Sequence, residues 1–332
     1  MPALSYAELN QTFVTALAQS HATALLLNPN QGNPRKFLVN AIVSRFEAWV
    51  YMWTITHGGG AKRPKDEYRI QMTAVTPPLG VNPTGPTVLI GHEPTTGAFA
   101  GFDIDKHLDF TAGSSSIQIA MGTLQEAALN GFGFALKGND EIAVGIRPDL
   151  LLAYILNSQS LHIHGGNVPT AQLLVTAAAL QPVPPAQLQA LPVERQRLVA
   201  TVSQLSRAHD FRKRVLQAYE LRCAVTEIQL NLVDAAHILP VGAPGSTDDT
   251  SNGICLSPTF HRAFDRSLIY LDEQLRLQVN RERERELAAL GVAGGIAVIR
   301  AYSGREIVRP RDQGLWPALG YIRAANEFRG IT

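Results

Sequence analysis

The chain has 332 residues, of which 45% are hydrophobic and 17% are charged, and its formal net charge at pH 7 is +1. This length exceeds the usual size of one domain, so we expect two domains, each with its own buried core. A net charge near zero excludes a strongly basic field over the whole protein, so a polyanionic partner would require a local basic surface. Two cysteines are too few for a disulfide framework and fit a reducing compartment.

No targeting segment is expected. The first residues, MPALSYAELNQTF, lack a basic region followed by an apolar core, which argues against a signal peptide. No stretch of the sequence approaches the roughly 18 uninterrupted apolar residues of a membrane span. We therefore expect a cytoplasmic protein without a membrane partner.

Residues 1–180 have the pattern of a mixed α+β domain. Apolar residues at helical spacing predict a first helix over residues 4–27, with Ser5 as a candidate N-cap. Runs of β-branched and aromatic residues, separated by turns rich in Pro and Gly, then predict several strands and a short helix that ends at Gly131. The glycine-rich basic loop at 57–69 lacks the spacing of a phosphate-binding P-loop, which leaves contact with a DNA backbone as its candidate role.

Residues 181–193, QPVPPAQLQALPV, contain four prolines and are predicted to form a semi-rigid linker. The second domain, residues 194–332, opens with a long helical pattern that is predicted to break near His209. A loop-rich segment with two short strands follows, and further short strands and helices close the chain. The sequence thus predicts an α+β protein of two domains.

Basic residues are concentrated in the second domain. Residues 194–332 hold 19 Lys and Arg against 16 Asp and Glu, whereas the rest of the chain holds 10 against 12. Lys213 is the one lysine among those 19 residues, and arginine is the better bidentate ligand for phosphate. An arginine-rich composition also follows from a GC-rich genome, so this bias has two explanations.

The segment 233–265, VDAAHILPVGAPGSTDDTSNGICLSPTFHRAFD, concentrates residues with catalytic chemistry. His237 ends a predicted strand, and an imidazole with an unperturbed pKa of about 6.5 can take a proton from water near neutral pH. Asn252 can hold a backbone or a histidine ring in place, and the Asn-Gly step that it begins is typical of a hairpin that returns a second strand. Asp248 and Asp249 lie in a Ser/Thr/Gly-rich loop, where we expect both to be solvated.

A helix is predicted to begin after Pro258, with Thr259 as its cap, and to carry His261 and Asp265. Positions i and i+4 project from one helical face, so these last two side chains can chelate one ion. A histidine with a carboxylate suits a divalent cation of borderline or hard character. The alternative for His237 and His261 is a pair of hydrogen-bonded structural histidines.

The phrase AAHILP…NGICLSPTFHRAFD resembles the HNH nuclease motif, in the variant found in predicted restriction endonucleases. Flanking stretches extend the resemblance over roughly residues 195–330. The family implies a ββα-metal fold with flanking helices, which cuts DNA with one divalent ion per active site and leaves 5′-phosphate and 3′-hydroxyl ends. Mg²⁺ is the expected ion, with Mn²⁺, Ni²⁺ and Zn²⁺ as alternatives. By this resemblance His237 is the general base, Asn252 holds the loop or orients that histidine, and His261 binds the metal.

One departure from the family pattern leaves the remaining metal ligand open. Many members have an acidic residue or a histidine directly before the first motif histidine, where this chain has Ala236. Asp265 is the first candidate for the missing ligand, and Asp234 is the second. Asp234 and His237 are separated by an odd number of residues, so a regular strand would direct them to opposite faces.

Five basic residues beside the motif are candidates for contacts with the DNA backbone. Arg212, Lys213 and Arg214 lie on the helix that leads into the motif. Arg262 and Arg266 flank the expected metal ligands. Phosphate contacts of this kind would position the protein on DNA without reading its sequence. The alternative for each residue is an ordinary solvated helix face.

These observations favour a two-domain, metal-dependent DNA endonuclease of the restriction type, in which residues 194–332 cut and residues 1–180 recognise the DNA or sense another signal. A ββα-metal core contacts mainly phosphate and discriminates bases poorly, so a separate recognition domain is expected. Its partner is double-stranded DNA, with or without modified bases, and cleavage of both strands at a palindrome favours a homodimer. The alternatives are a relaxed-specificity defence or toxin nuclease and a DNA-binding protein whose nuclease site has decayed.

Overall fold

The computed structural model describes residues 3–20, 22–29, 31–41, 44–58, 64–111 and 115–331. It divides into two compact units, Met1–His209 and Asp210–Thr332. Residues 59–63, which belong to the glycine-rich basic loop, lie outside the described residues. Within the described part of the chain, no helix has the length and apolar character that crossing a membrane requires.

The N-terminal unit is a mixed α+β fold built on two sheets. Its strands are β1 (Thr23–Leu26), β2 (Arg35–Asn40), β3 (Arg45–Thr54), β4 (Thr56–His57), β5 (Glu67–Gln71), β6 (Thr87–His92), β7 (Phe99–Phe102), β8 (Ser116–Ala120), β9 (Phe132–Leu136) and β10 (Ile142–Ile146). Its helices are α1 (Tyr6–Gln19), α2 (Met121–Asn130), α3 (Leu151–His164), α4 (Val168–Ala178), α5 (Pro185–Gln189) and the first part of α6 (Val193–Ala218). The larger sheet has the order β1-β2-β3-β6-β7-β10-β9, and the smaller has the order β4-β5-β8. Strands β3 and β6 pair in parallel, and the other pairs of the larger sheet are antiparallel.

The larger sheet separates two hydrophobic cores, because alternate side chains of a strand point to opposite faces. Along β3, Val50 and Met52 enter the core that also contains residues of α1, α3 and α4. Tyr51, between them, enters the core that is shared with the smaller sheet. Each of these three side chains is at most 2% exposed, so β3 is buried on both faces.

The first helix is shorter than the apolar pattern predicts. Ser5 caps α1 as expected, since its hydroxyl accepts a hydrogen bond from Glu8 N and the Glu8 carboxylate accepts one from Ser5 N. The helix ends at Gln19, and Thr23–Leu26 form β1, which pairs with β2. A four-residue run with three apolar residues fits a strand as well as a helix, so periodicity alone cannot distinguish the two.

The proline-rich segment belongs to the N-terminal unit. Leu188 packs against the core of this unit, and Leu198 of α6 is part of the same core. The two compact units therefore divide inside α6, between His209 and Asp210, whereas the proline content places the division at 181–193. Helix α6 also continues through His209, where the sequence pattern predicts a break.

The C-terminal unit contains two antiparallel strands followed by a helix, which is the ββα arrangement that the family resemblance implies. Its elements after α6 are β11 (Asp234–His237), β12 (Gly253–Leu256), α7 (Pro258–Asp265), β13 (Ile269–Leu271), β14 (Leu277–Val279), α8 (Arg281–Ala289), α9 (Ile296–Arg300) and α10 (Leu319–Phe328). Strands β11 and β12 pair antiparallel, with His237 opposite Gly253. The α+β fold class is confirmed.

The predicted return strand is confirmed, because β12 pairs antiparallel with β11 after a long connection that ends in a 3₁₀ turn over Thr250–Asn252. The predicted cap of the following helix is wrong in detail. Helix α7 begins at Pro258 with Ser257 at the N-cap position, so Thr259 lies inside the first turn. Proline is favourable at that first position because it lacks an N–H group that would have no partner there.

Candidate active site

Close packing against α6 fixes the position of the two motif strands. Gly253 lies opposite His237, and a Cβ atom at Gly253 would lie 2.3 Å from Val215 Cγ2 and 3.1 Å from Phe211 Cζ. Such contacts are too short for a real side chain, so any larger residue would push β12 away from α6. This close approach, rather than turn geometry, explains the glycine of the Asn-Gly step.

The His237 side chain is held on two sides. Its Nε2 lies 3.0 Å from Asp248 Oδ1, and its ring stacks on Phe211 with 3.7 Å between the centroids and 11° between the planes. Since an ionised carboxylate only accepts hydrogen bonds, Nε2 carries the proton, and the neutral ring keeps its lone pair on Nδ1. Among the described residues, Nδ1 has no hydrogen-bond partner, so it is the atom that can accept a proton.

Asp248 is a site residue that sequence reasoning missed. Its side chain is 35% exposed and contacts His237, so it is only partly solvated, contrary to the expectation from the composition of its loop. Arg214 fixes this loop, because Nη2 donates to Asp248 O at 2.6 Å and Nη1 donates to Thr250 Oγ1 at 2.7 Å. Burial lowers the pKa of His237, while the hydrogen bond and the charge of Asp248 act in the opposite direction.

Asn252 closes the loop between the two strands. Its side chain is fully buried, and Oδ1 accepts a hydrogen bond from Leu239 N at 2.8 Å. Its Nδ2 donates to Thr247 O at 2.8 Å and to Ser246 Oγ at 3.3 Å. Among the described residues it makes no hydrogen bond to the His237 ring. Of the two roles that the resemblance implies, this geometry therefore favours holding the loop.

His261 on α7 lies between two carboxylates. Its Nδ1 is 3.7 Å from Asp234 Oδ2, and its Nε2 is 3.4 Å from Asp265 Oδ2. The other oxygen of Asp234 accepts a hydrogen bond from Arg212 Nη1 at 2.8 Å. His261 and Arg212 lower the pKa of Asp234 to about 2, so this carboxyl is ionised at neutral pH. Asp265, by contrast, is exposed and has no arginine within ion-pair distance among the described residues.

The side chains around His261 fit a divalent ion that keeps several waters. Within the described part of the chain, no three His, Cys, Asp or Glu side chains converge as a metal cage. One imidazole flanked by two carboxylates nevertheless supplies the nitrogen and oxygen donors that borderline and hard cations prefer. Mg²⁺ typically binds proteins through one or two carboxylates and retains waters, so a small set of protein donors of this kind fits it.

The five basic residues predicted to contact DNA fall into two groups. Arg212 and Arg214 are half-buried and form ion pairs with neighbouring aspartates, so their guanidinium groups hold the site together. Lys213, Arg262 and Arg266 are exposed. Only these last three therefore offer charges that are not already paired with a carboxylate among the described residues.

Family models match parts of both units. Residues 223–272 match a family described as HNH endonuclease, and this range contains His237, Asn252 and His261. Residues 46–155 match a family described as methylase-associated X1. Among solved structures, the chain is similar to the modification-dependent restriction endonuclease TagI, with 14% identity over 85% of this chain and 80% of that chain, and a TM-score of 0.28. No curated protein matches the sequence.

Proposed function

We propose that the chain is a metal-dependent DNA endonuclease of the restriction type, a proposal supported by the match of residues 223–272 to a family of HNH endonucleases. The observation that carries this proposal is the pair of histidines on the ββα core. His237 offers Nδ1 as a proton acceptor, and His261 lies between two carboxylates. The first supplies a base and the second a metal ligand, and metal-assisted hydrolysis of a phosphodiester uses both.

His237 acts as the general base in this proposal. Its Nδ1 takes a proton from the attacking water, and the imidazolium that forms remains hydrogen-bonded to Asp248 through Nε2. Burial lowers the pKa of His237, so the ring is neutral and able to accept a proton at pH 7. The stack on Phe211 keeps the ring in one orientation, and Asn252 holds the loop that carries Asp248.

His261 Nε2 and Asp265 would hold one divalent cation, for which Mg²⁺ is the first choice and Mn²⁺, Ni²⁺ and Zn²⁺ suit the same donors. Asp234 faces Nδ1 of His261 and is already paired with Arg212, so we assign to it the orientation of the imidazole. The bound ion would serve as a Lewis acid that stabilises charge on the phosphate and the leaving oxygen. The products would carry 5′-phosphate and 3′-hydroxyl ends.

The N-terminal unit would choose the DNA that is cut. Residues 46–155 match a methylase-associated family, which supports a role connected with DNA methylation. A ββα core that contacts phosphate reads bases poorly and needs such a partner domain. Lys213, Arg262 and Arg266 would contact the DNA backbone beside the site. Cleavage of both strands at a palindrome needs two active sites, so we propose a homodimer on double-stranded DNA.

A DNA-binding protein without cleavage activity is the second candidate. It is favoured by Ala236, which replaces a frequent metal ligand of the family. It is also favoured by the absence, within the described residues, of three converging ligand side chains. Such a protein would bind DNA in the presence of Mg²⁺ or Mn²⁺ and leave it intact.

The experiment that tests these functions compares the wild type with His237→Ala in a cleavage assay. Methylated and unmethylated plasmid and genomic DNA would be incubated with Mg²⁺, Mn²⁺ or Ni²⁺ in turn. Discrete fragments that the variant fails to produce would support a restriction-type nuclease, and fragments from methylated DNA alone would assign the modification that licenses cleavage. A smear that the variant fails to produce would indicate relaxed specificity. Binding without cleavage under every condition would favour the second candidate.

A further inference from the structure

Arg329, directly after α10, is held against the nuclease motif. Its Nη1 donates a hydrogen bond to the carbonyl oxygen of Ile238 at 2.9 Å, and Ile238 follows His237 in the chain. Its guanidinium carbon lies 4.6 Å from the centroid of the Phe264 ring, which belongs to α7. The guanidinium therefore lies between the residue after the proposed base and the helix of the proposed metal ligands.

Arg329 forms no ion pair among the described residues. None of the described carboxylates is within ion-pair distance of it, whereas Arg212 and Arg214 each pair with an aspartate, at 2.8 Å and 2.7 Å. The side chain is half-buried, and burial lowers the pKa of Arg329 while the charge of Asp265 acts in the opposite direction. A partly desolvated cation that no carboxylate pairs with is costly in a folded protein, and binding of an anion would reduce this cost.

The free donors of Arg329 match a phosphate. A guanidinium has five N–H donors in a planar fork, and the Ile238 carbonyl takes one of them. The others can bind two oxygens of one phosphate in a bidentate manner. Ile238 directly follows His237 and Phe264 directly precedes Asp265, so these two contacts place the guanidinium beside the segments that carry the proposed base and a proposed metal ligand.

We propose that Arg329 binds the phosphodiester that is cut and holds it beside the proposed base. This inference rests on the proposed function, since it takes DNA as the substrate of the site. Arg323, on α10, has the opposite character, because it is exposed and pairs with Glu273 at 2.8 Å. It is therefore a matched control from the same C-terminal segment.

The test measures DNA binding and cleavage by the full-length protein and its variants Arg329→Gln, Arg329→Lys and Arg323→Gln. Glutamine keeps a polar amide but removes the charge, whereas lysine keeps the charge but not the fork. Binding of a fluorescent DNA duplex is followed by anisotropy in EDTA over a series of salt concentrations. Single-turnover cleavage is followed separately with Mg²⁺ or Mn²⁺.

We expect Arg329→Gln to reduce the steepness of log K against log salt concentration by about one, as the loss of one phosphate contact does. The same variant should cleave about 10²-fold more slowly, as the loss of one preorganised contact to the reacting group does. Arg329→Lys should keep the salt dependence and cleave about tenfold more slowly, because it loses the bidentate geometry. Arg323→Gln should match the wild type in both measurements.

An unchanged salt dependence in Arg329→Gln would overturn the proposal even if cleavage falls, because an arginine that only packs against the motif contributes no phosphate contact. If circular dichroism shows that Arg329→Gln is unfolded, the test relies on Arg329→Lys instead. A wild-type cleavage rate in Arg329→Lys would then overturn the proposal. Failure of the wild type to bind or cut DNA would remove the proposed function and this inference with it. Wild-type cleavage with an unaffected Arg329→Gln would remove only the inference.

Discussion

The substitution Asp248→Asn tests the contact that holds the proposed base. Asp248 Oδ1 lies 3.0 Å from His237 Nε2, so its charge stabilises the imidazolium that forms when His237 accepts a proton. Asparagine keeps the size of the side chain and a hydrogen-bond acceptor but removes the charge. We therefore expect slower cleavage by a protein that remains folded.

The size of this effect follows from the distance and the exposure of the pair. Two unit charges about 4 Å apart interact by ~1 kcal/mol in water and by ~4 kcal/mol at the effective dielectric near a protein surface. The Asp248 side chain is 35% exposed and that of His237 is 17% exposed, so solvent screening leaves about 2 kcal/mol. Since about 1.4 kcal/mol corresponds to a factor of ten, Asp248→Asn should lower the single-turnover rate by about 30-fold.

The pH dependence of cleavage gives a second measure of the same contact. Burial lowers the pKa of His237 and Asp248 raises it, so removal of the Asp248 charge leaves a still lower pKa. Cleavage requires the neutral ring and is lost as the pH falls through this pKa. The acid limb of the rate profile should therefore move to lower pH in Asp248→Asn, even though the maximal rate is smaller.

The assay is single-turnover cleavage of a DNA duplex from acid to neutral pH, with Asp249→Asn as the matched control. Asp249 is the neighbouring carboxylate, and it accepts hydrogen bonds from Thr247 and Tyr321 rather than from a histidine. If Asp248→Asn cleaves at the wild-type rate, and the acid limb of its pH–rate profile lies at the wild-type pH, a role for Asp248 in holding the base is refuted. Equal slowing in both variants would refute it as well, because the effect would then belong to the loop.

Four further substitutions probe the loop, the strand packing and the proposed metal ligands. Asn252→Ala should lower the free energy of unfolding by about 2 to 4 kcal/mol, because buried backbone groups lose their partner, and a loss below about 0.5 kcal/mol in urea denaturation would contradict this. Gly253→Ala should cost about 1 to 3 kcal/mol by forcing β12 away from α6, and an unchanged melting temperature would count against that packing. Asp265→Asn should weaken Mn²⁺ binding in calorimetry more than Asp234→Asn does, and equal losses would indicate that both carboxylates bind the ion.

The candidate site could be predicted from the sequence where it depends on local spacing. His261 and Asp265 share a helical face because they are four residues apart, and α7 brings their side chains within 3.4 Å. The order of strand, strand and helix likewise follows from the short-range pattern around His237 and Asn252. A few neighbouring residues determine each of these features.

Contacts between distant segments could not be predicted in this way. Asp248 meets His237 across 11 positions of sequence, and Arg329 meets Ile238 across 91. The conformation of the whole loop determines which of its polar residues contacts a histidine. The residues next to that histidine in the sequence do not specify this conformation. The misassigned end of the first helix has the same cause, since Thr23–Leu26 form a strand only by pairing with β2.

Helix α6 also determines where the chain can be divided into two fragments that each keep a complete core. Leu198, Val199 and Val202 complete the core of the N-terminal unit, whereas Phe211, later in the same helix, stacks on the proposed base. If the chain were divided in the proline-rich segment, the N-terminal fragment would lose these three core residues, and the C-terminal fragment would expose them to solvent. Chimaeric proteins in which one unit is exchanged should therefore be joined between residues 209 and 210, with the helix continuing through the junction, so that each part keeps the residues it buries.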